Sequence, residues 1–103
     1  MGTSCTIEIE GLNGVKIYKH WDGYEEEVLP ILDRVVDRFK NDRGWDPEYM
    51  LARILAEFII EDNEHYRNVG IEPDGTTGYG IITVPYDVNY RYIIKEDWSI
   101  VVE

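Results

Sequence analysis

A single cysteine, Cys5, stands in 103 residues, which excludes an internal disulfide framework and any cysteine-based zinc knuckle. No apolar run approaches the roughly 20 residues that span a bilayer. No basic n-region leads into an apolar h-region, so no signal peptide is expected and the expected location is cytoplasmic. Serine is nearly absent (Ser4 and Ser99), and the two histidines, His20 and His65, lie far apart, so a Ser-His-Asp triad is not expected. Positive charge is scarce too. Ten Lys and Arg face 21 Asp and Glu, for a net charge of −11 at pH 7. Such a surface repels nucleic-acid phosphates and anionic lipid, so neither nucleic acid nor membrane is an expected partner.

What remains has a globular balance, 44% apolar and 30% charged, in a length that suits one domain over residues 1–103. The charge is uneven: residues 1–24 carry −1, residues 25–67 carry −6 and residues 68–103 carry −4. Self-repulsion that keeps the chain soluble explains this. The sharper alternatives are a surface that attracts a basic partner and an anti-defence protein that mimics DNA. Arg34, Arg38, Lys40 and Arg43 give the first helix a mixed-sign face, which speaks against a clean mimic.

Hydrophobic spacing gives the elements. Cys5, Ile7 and Ile9 alternate with Thr6, Glu8 and Glu10, the period of a half-buried strand. Val15–His20 follows after a turn. A three-residue loop (Leu12, Asn13, Gly14) would set Ile9 opposite Ile17, Cys5 opposite Trp21 and His20 opposite Thr6. Val28, Leu32, Val35, Val36 and Phe39 mark one helical face, with Pro30 in the first turn and Gly44 at the end. Asp46-Pro47-Glu48 reads as N-cap, first position and first turn of a second helix. Its buried face carries Leu51, Ile54, Leu55 and Phe58, with Asp62 next in line. Glycines and Pro73 make residues 70–78 a loop, and strand patterns return at 79–84, 88–95 and 98–102. The order ββααβββ predicts an α+β two-layer sandwich. An antiparallel sheet of about five strands carries a helical hairpin, 27–43 and 47–65, on one face. The other face would show Thr6, Glu8, Glu10, Lys16, Tyr18 and His20.

Several clusters carry a chemical and a structural reading. His20-Trp21-Asp22-Gly23-Tyr24 joins a strand to a helix. Asp22-Gly23 supplies turn chemistry, while His20 and Asp22 offer an acid–base or metal pair if the strand continues that far. Gly75–Gly80 is glycine-rich, but a strand follows it and no base lies between Val69 and Asn89, so it is no phosphate loop. Cys5 pairs with His20 as nucleophile and base only if they share a face, which the expected register denies. Glu61, Asp62, Glu64 and His65 place carboxylates at i, i+3 and i, i+4 from an imidazole, yet this suits a solvated helix end as well as a metal. Tyr79, Tyr86, Tyr90, Tyr92 and Trp98 suit core packing or a protein interface, since a base-stacking surface needs a basic groove.

Tyr18-Lys19-His20-Trp21-Asp22-Gly23-Tyr24, followed by Val28-Leu29-Pro30, resembles a Tyr-basic-His-Trp-Asp-Gly-Tyr motif of small proteins from prokaryotes and their phages. Thr77-Gly78-Tyr79-Gly80-Ile81 and Asn89-Tyr90-Arg91-Tyr92 are similar to later segments of that group. Its members often carry Pro after the last Tyr, where this chain has Glu25. The resemblance brings no activity and no catalytic residues.

The expectation is therefore a small acidic non-enzymatic module that binds a protein partner or a second copy of itself. A small enzyme or ligand-binding domain at the His20–Tyr24 segment is the alternative. The candidate binding residues are His20, Trp21, Asp22, Tyr24 and Tyr79, with no cofactor and no metal.

Overall fold

The computed structural model describes residues 3–70 and 78–103. Most of the expected 70–78 loop, including Gly75, Thr76 and Thr77 of the glycine-rich segment, lies outside the described residues. The elements are β1 (Cys5–Ile9), β2 (Lys16–Lys19), α1 (Glu25–Arg38), α2 (Pro47–Asn68), β3 (Tyr79–Ile82), β4 (Tyr90–Ile94) and β5 (Ile100–Val102). A π-helical segment, Phe39–Arg43, continues α1. The fold is α+β. No helix among the described residues is long and apolar enough to cross a membrane.

The five-stranded sheet runs β3-β2-β1-β4-β5 and is mixed, not antiparallel throughout. β1 pairs antiparallel with β2 but parallel with β4, through Cys5↔Tyr90, Ile7↔Tyr92 and Ile9↔Ile94. Period-two alternation cannot foretell this, because a strand presents the same face whichever way its neighbour runs. Since β2 is antiparallel to both β1 and β3, the strands β3 and β4 are parallel and flank the pair between them. Only residues 83–89 join them. Three strand spacings and one strand length make a diagonal of about 20 Å, and seven extended residues reach about 23 Å. The link is thus a taut strap without a helix. It crosses the sheet face opposite the helices and lays the Tyr86 ring 5.0 Å from that of Tyr18. Of the six residues expected to show on that face, Thr6 and Lys16 are buried, Glu8 and Tyr18 are half-buried, and Glu10 and His20 are exposed.

The first hairpin differs from expectation by two residues. Cys5 opposes Lys19, Thr6 opposes Tyr18, and Ile7 opposes Ile17. The reversal is longer than three residues, with Gly11, Asn13 and Gly14 all at positive φ. A two-residue shift preserves parity, so Ile7, Ile9 and Ile17 still face the core with Leu32, Phe39, Ile54 and Phe58.

The helices start and stop close to expectation. α1 begins at Glu25 on Tyr24, so Pro30 lies inside it and not in its first turn. The three opening glutamates favour that early start. Asp46 sits at the cap of α2 without a side-chain capping bond, and its carboxylate instead meets Arg43 at 3.3 Å. α2 extends to Asn68, beyond residue 65 but within the Asp62–Asn68 range that its sequence pattern allows for the end. Trp98 turns the chain at φ +73° instead of opening the last strand.

Tyr92 is the largest fully buried side chain, and its hydroxyl donates to the Gly23 carbonyl at 2.7 Å. The Gly23 N–H in turn donates to Thr3 O at 2.7 Å. A Cβ at Gly23 would lie 2.8 Å from both Cys5 Cβ and Thr3 O, so only glycine fits. Tyr92→Phe should lower unfolding free energy by about 1–3 kcal/mol, because it strands a buried carbonyl. Gly23→Ala should cost more, by overpacking. Urea denaturation of the two variants tests the ranking, and a Gly23→Ala midpoint above that of Tyr92→Phe would contradict it.

Candidate functional site

Where β2 runs out, the chain turns over the sheet end and enters α1. The alternation that sends Ile17 inward sends Lys19 inward as well. Lys19 is consequently buried, at 6% exposure, against the helical layer. Its ammonium lies 4.9 Å from the Phe58 ring centroid and 4.8 Å from that of Tyr79. Those two rings stack 5.7 Å apart. The Lys19 ammonium donates to the Tyr79 hydroxyl at 2.9 Å, and that hydroxyl donates to Asp62 Oδ2 at 2.8 Å. Tyr79 therefore relays between a cation and an anion. Burial first, then the Asp62 hydrogen bond and charge, push its hydroxyl well above the usual phenol range.

A cavity of about 210 Å³ opens beside this relay, lined by Lys19, Trp21, Asp22, Asp62, His65 and Tyr66. Trp21 forms part of its wall and lies across Gly78. A Cβ at Gly78 would sit 2.6 Å from two carbons of that ring. The His20 N–H donates to the Gly78 carbonyl at 2.8 Å, which ties β2 to the approach to β3.

The five residues expected at the site divide into three groups. Trp21 and Asp22 line the cavity, and Tyr79 supports it through Lys19 and Asp62. His20 is exposed, and its Nδ1 shares a 2.7 Å hydrogen bond with the Tyr18 hydroxyl, whose donor depends on the imidazole tautomer. Asp22 accepts from the Tyr24 hydroxyl at 3.3 Å. The Asp22 charge is the main cause raising the Tyr24 hydroxyl above its ordinary value. His20 and Asp22 thus hold separate partners, and His20 and Tyr24 do not line the cavity. Asp22 takes φ +55°, a conformation that Asp tolerates, so turn chemistry accounts for its place in the motif.

Asp62 and His65, read from sequence as part of an acidic helix end, both face the cavity. Among the described residues no group of three or more His, Cys, Asp and Glu is placed to hold a metal ion. Lys19 and Tyr66 were missed as lining residues. Lys19 was signalled by its parity with Ile17, and Asp62 by its position in line with Leu51, Ile54, Leu55 and Phe58.

No family model, curated protein or solved structure matches the chain. Geometry alone therefore carries the reading of the site.

Cys5 lies fully buried opposite Lys19, and burial pushes its thiol up to about 12 from 9.0, despite the opposing pull of the Lys19 charge. A thiol so protonated is a poor nucleophile. Its folded value exceeds its unfolded one, so its stabilising effect is whole below pH 9.0 and is lost as pH rises through about 12. Tyr79 and Tyr92 are raised from 10.0 and act in the same direction at higher pH. The urea midpoint should fall from pH 9 to 10, and Cys5→Ala should flatten that fall. An equal slope in wild type and variant would refute the assignment.

Proposed function

We propose that the chain is a non-enzymatic binding module whose site is the cavity beside Lys19. One observation carries this reading. A lysine withdrawn almost wholly from solvent nonetheless lines a cavity, with one hydrogen bond of its ammonium made to Tyr79. Burying a cation costs several kcal/mol even after relaxation, offset here by two aromatic faces and the Tyr79–Asp62 relay. A site that accepts such a cost gains a fixed, partly desolvated donor, which suits a ligand carbonyl oxygen, or the carboxylate of a ligand whose own ammonium meets Asp22 and Asp62 in the same lining. Trp21 and Tyr66 give a flat ligand body apolar walls, and the volume suits a molecule the size of an amino acid. Two features favour binding over catalysis: the protonated buried thiol of Cys5, and the separate partners of His20 and Asp22.

A second reading, protein contact, is favoured by a run of aromatic rings. Tyr86 meets Tyr18 at 5.0 Å, Tyr18 meets His20 at 5.9 Å, and His20 meets Trp21 at 4.9 Å. Trp21 and Tyr86 are exposed, as are Val84 and Ile81 nearby in the chain. Amphipathic rings of this kind are enriched at interfaces. The reading covers a protein partner or a second copy, and a strict monomer in sedimentation at high concentration removes the self-associating form.

For the cavity, the test is titration with small carboxylates and free amino acids, read by the Trp21 indole N–H resonance. At least one ligand should shift it in saturable fashion, and Lys19→Met should abolish the shift. The same substitution also takes from Asp62 the cation it faces through Tyr79, so the urea midpoint should fall modestly, and circular dichroism checks that the variant keeps its fold. A panel that leaves the Trp21 resonance unmoved, or a Lys19→Met protein that binds as wild type does, would sink the reading.

A further inference from the structure

A second cleft, sharing no residue with the first, lies where the π-helical segment meets α2. It encloses about 160 Å³ and is lined by Arg38, Phe39, Asp42, Arg43 and Arg53. Three of the chain's six arginines thus gather in one cleft of a protein with net charge −11.

The π turn is what brings two of them together. Residues five apart on an α-helix point about 140° away from each other. An i→i+5 repeat stacks them instead, and the Gly44 N–H closes such a turn on the Phe39 carbonyl at 2.6 Å. Arg38 and Arg43 therefore fall on one side and line the cleft together with the buried Phe39. Arg53 completes the group from α2.

The nearby carboxylates engage two of the three guanidinium groups and leave the third. Arg43 meets Asp46 at 3.3 Å and lies 4.1 Å over the Tyr49 ring. Arg53 meets Glu57 at 2.8 Å, and Glu57 also accepts Arg34 at 2.8 Å, which in turn lies 3.9 Å from Glu61. Arg38 has no ion-pair partner among the described residues. The Arg43–Asp46 pair is part-exposed and weak, and yields to a stronger anion, whereas Glu57 is largely buried. Asp42 is the one acid that lines the cleft and opposes the three bases.

We propose that this cleft binds a small soluble phosphorylated anion, a phosphate monoester or pyrophosphate, through Arg38, Arg43 and Arg53. Guanidinium forks match phosphate oxygens bidentately, and the volume admits one or two phosphoryl groups. The surrounding negative field selects a compact ligand over a polyanion or an anionic membrane, whose extended charge would meet Asp and Glu on every side.

The test is calorimetric titration with inorganic phosphate and with pyrophosphate at constant ionic strength. Pyrophosphate should bind more tightly than phosphate, with a stoichiometry of one. Arg38→Gln and Arg53→Gln should each weaken it about tenfold, by loss of a charge-assisted contact. Asp42→Asn should tighten it, and Arg67→Gln, outside the cleft, should leave it unchanged. Circular dichroism checks that each variant keeps its fold. A separate arm measures sedimentation with phosphatidylcholine vesicles containing phosphatidic acid. Binding to vesicles without binding to soluble pyrophosphate would overturn the proposal. So would the absence of pyrophosphate binding, or an equal loss in Arg67→Gln and Arg38→Gln.

Discussion

The strand β1 hydrogen-bonds along both edges, antiparallel to β2 and parallel to β4, and the rest of the molecule follows from that double pairing. It makes Cys5, Ile7 and Ile9 the floor on which both helices rest. It also puts β3 and β4 in parallel on opposite flanks, so the chain between them must cross the sheet. The helical hairpin occupies one face, which leaves the other to the strap. Lys16 is covered there, paired with Glu8 at 3.2 Å.

The sheet end bears the consequences of placing charge inside. Lys19 enters the core by alternation, beside Phe58 and Tyr79, and Asp62 approaches from α2 through a tyrosine hydroxyl. Apolar residues in place of both charges would pack there with less electrostatic cost. The turn beside it is fixed just as firmly. Gly23 is held on one side by Thr3 and on the other by Tyr92, and Trp21 is laid over Gly78. A rigid turn and a desolvated donor are what preorganised recognition requires.

Much of this was legible. The spacing of Val28, Leu32, Val35, Val36 and Phe39 marked a helix whose members are all buried. Asp46-Pro47 marked the start of the next, and Ile7, Ile9 and Ile17 marked the inner sheet face. The parallel β1–β4 ladder was not legible, because direction leaves no trace in period-two spacing. The hairpin register escaped for a related reason: a shift of two residues leaves every side chain on its own face. At the site, Trp21, Asp22 and Tyr79 stand at or behind the cavity, while His20 turned to Tyr18, a neighbour on its own strand. Lys19 was passed over because a lysine reads as solvent-facing even where alternation points it inward. The π turn that groups Arg38 with Arg43 rests on an i→i+5 hydrogen bond from Gly44 to Phe39, which a 3.6-residue pattern does not reveal.

The parallel ladder also bears on how the chain reaches its folded form. Ser4 and Asn89, which meet at the start of that ladder, are 85 residues apart. Closing so long a loop costs about 4 kcal/mol of chain entropy before any contact repays it. The β1–β2 hairpin and the α1–α2 pair join near neighbours and face no such toll, so the arrival of β4 is the slow search. Until it docks, the central strand keeps one edge bare and the Tyr92 seat empty.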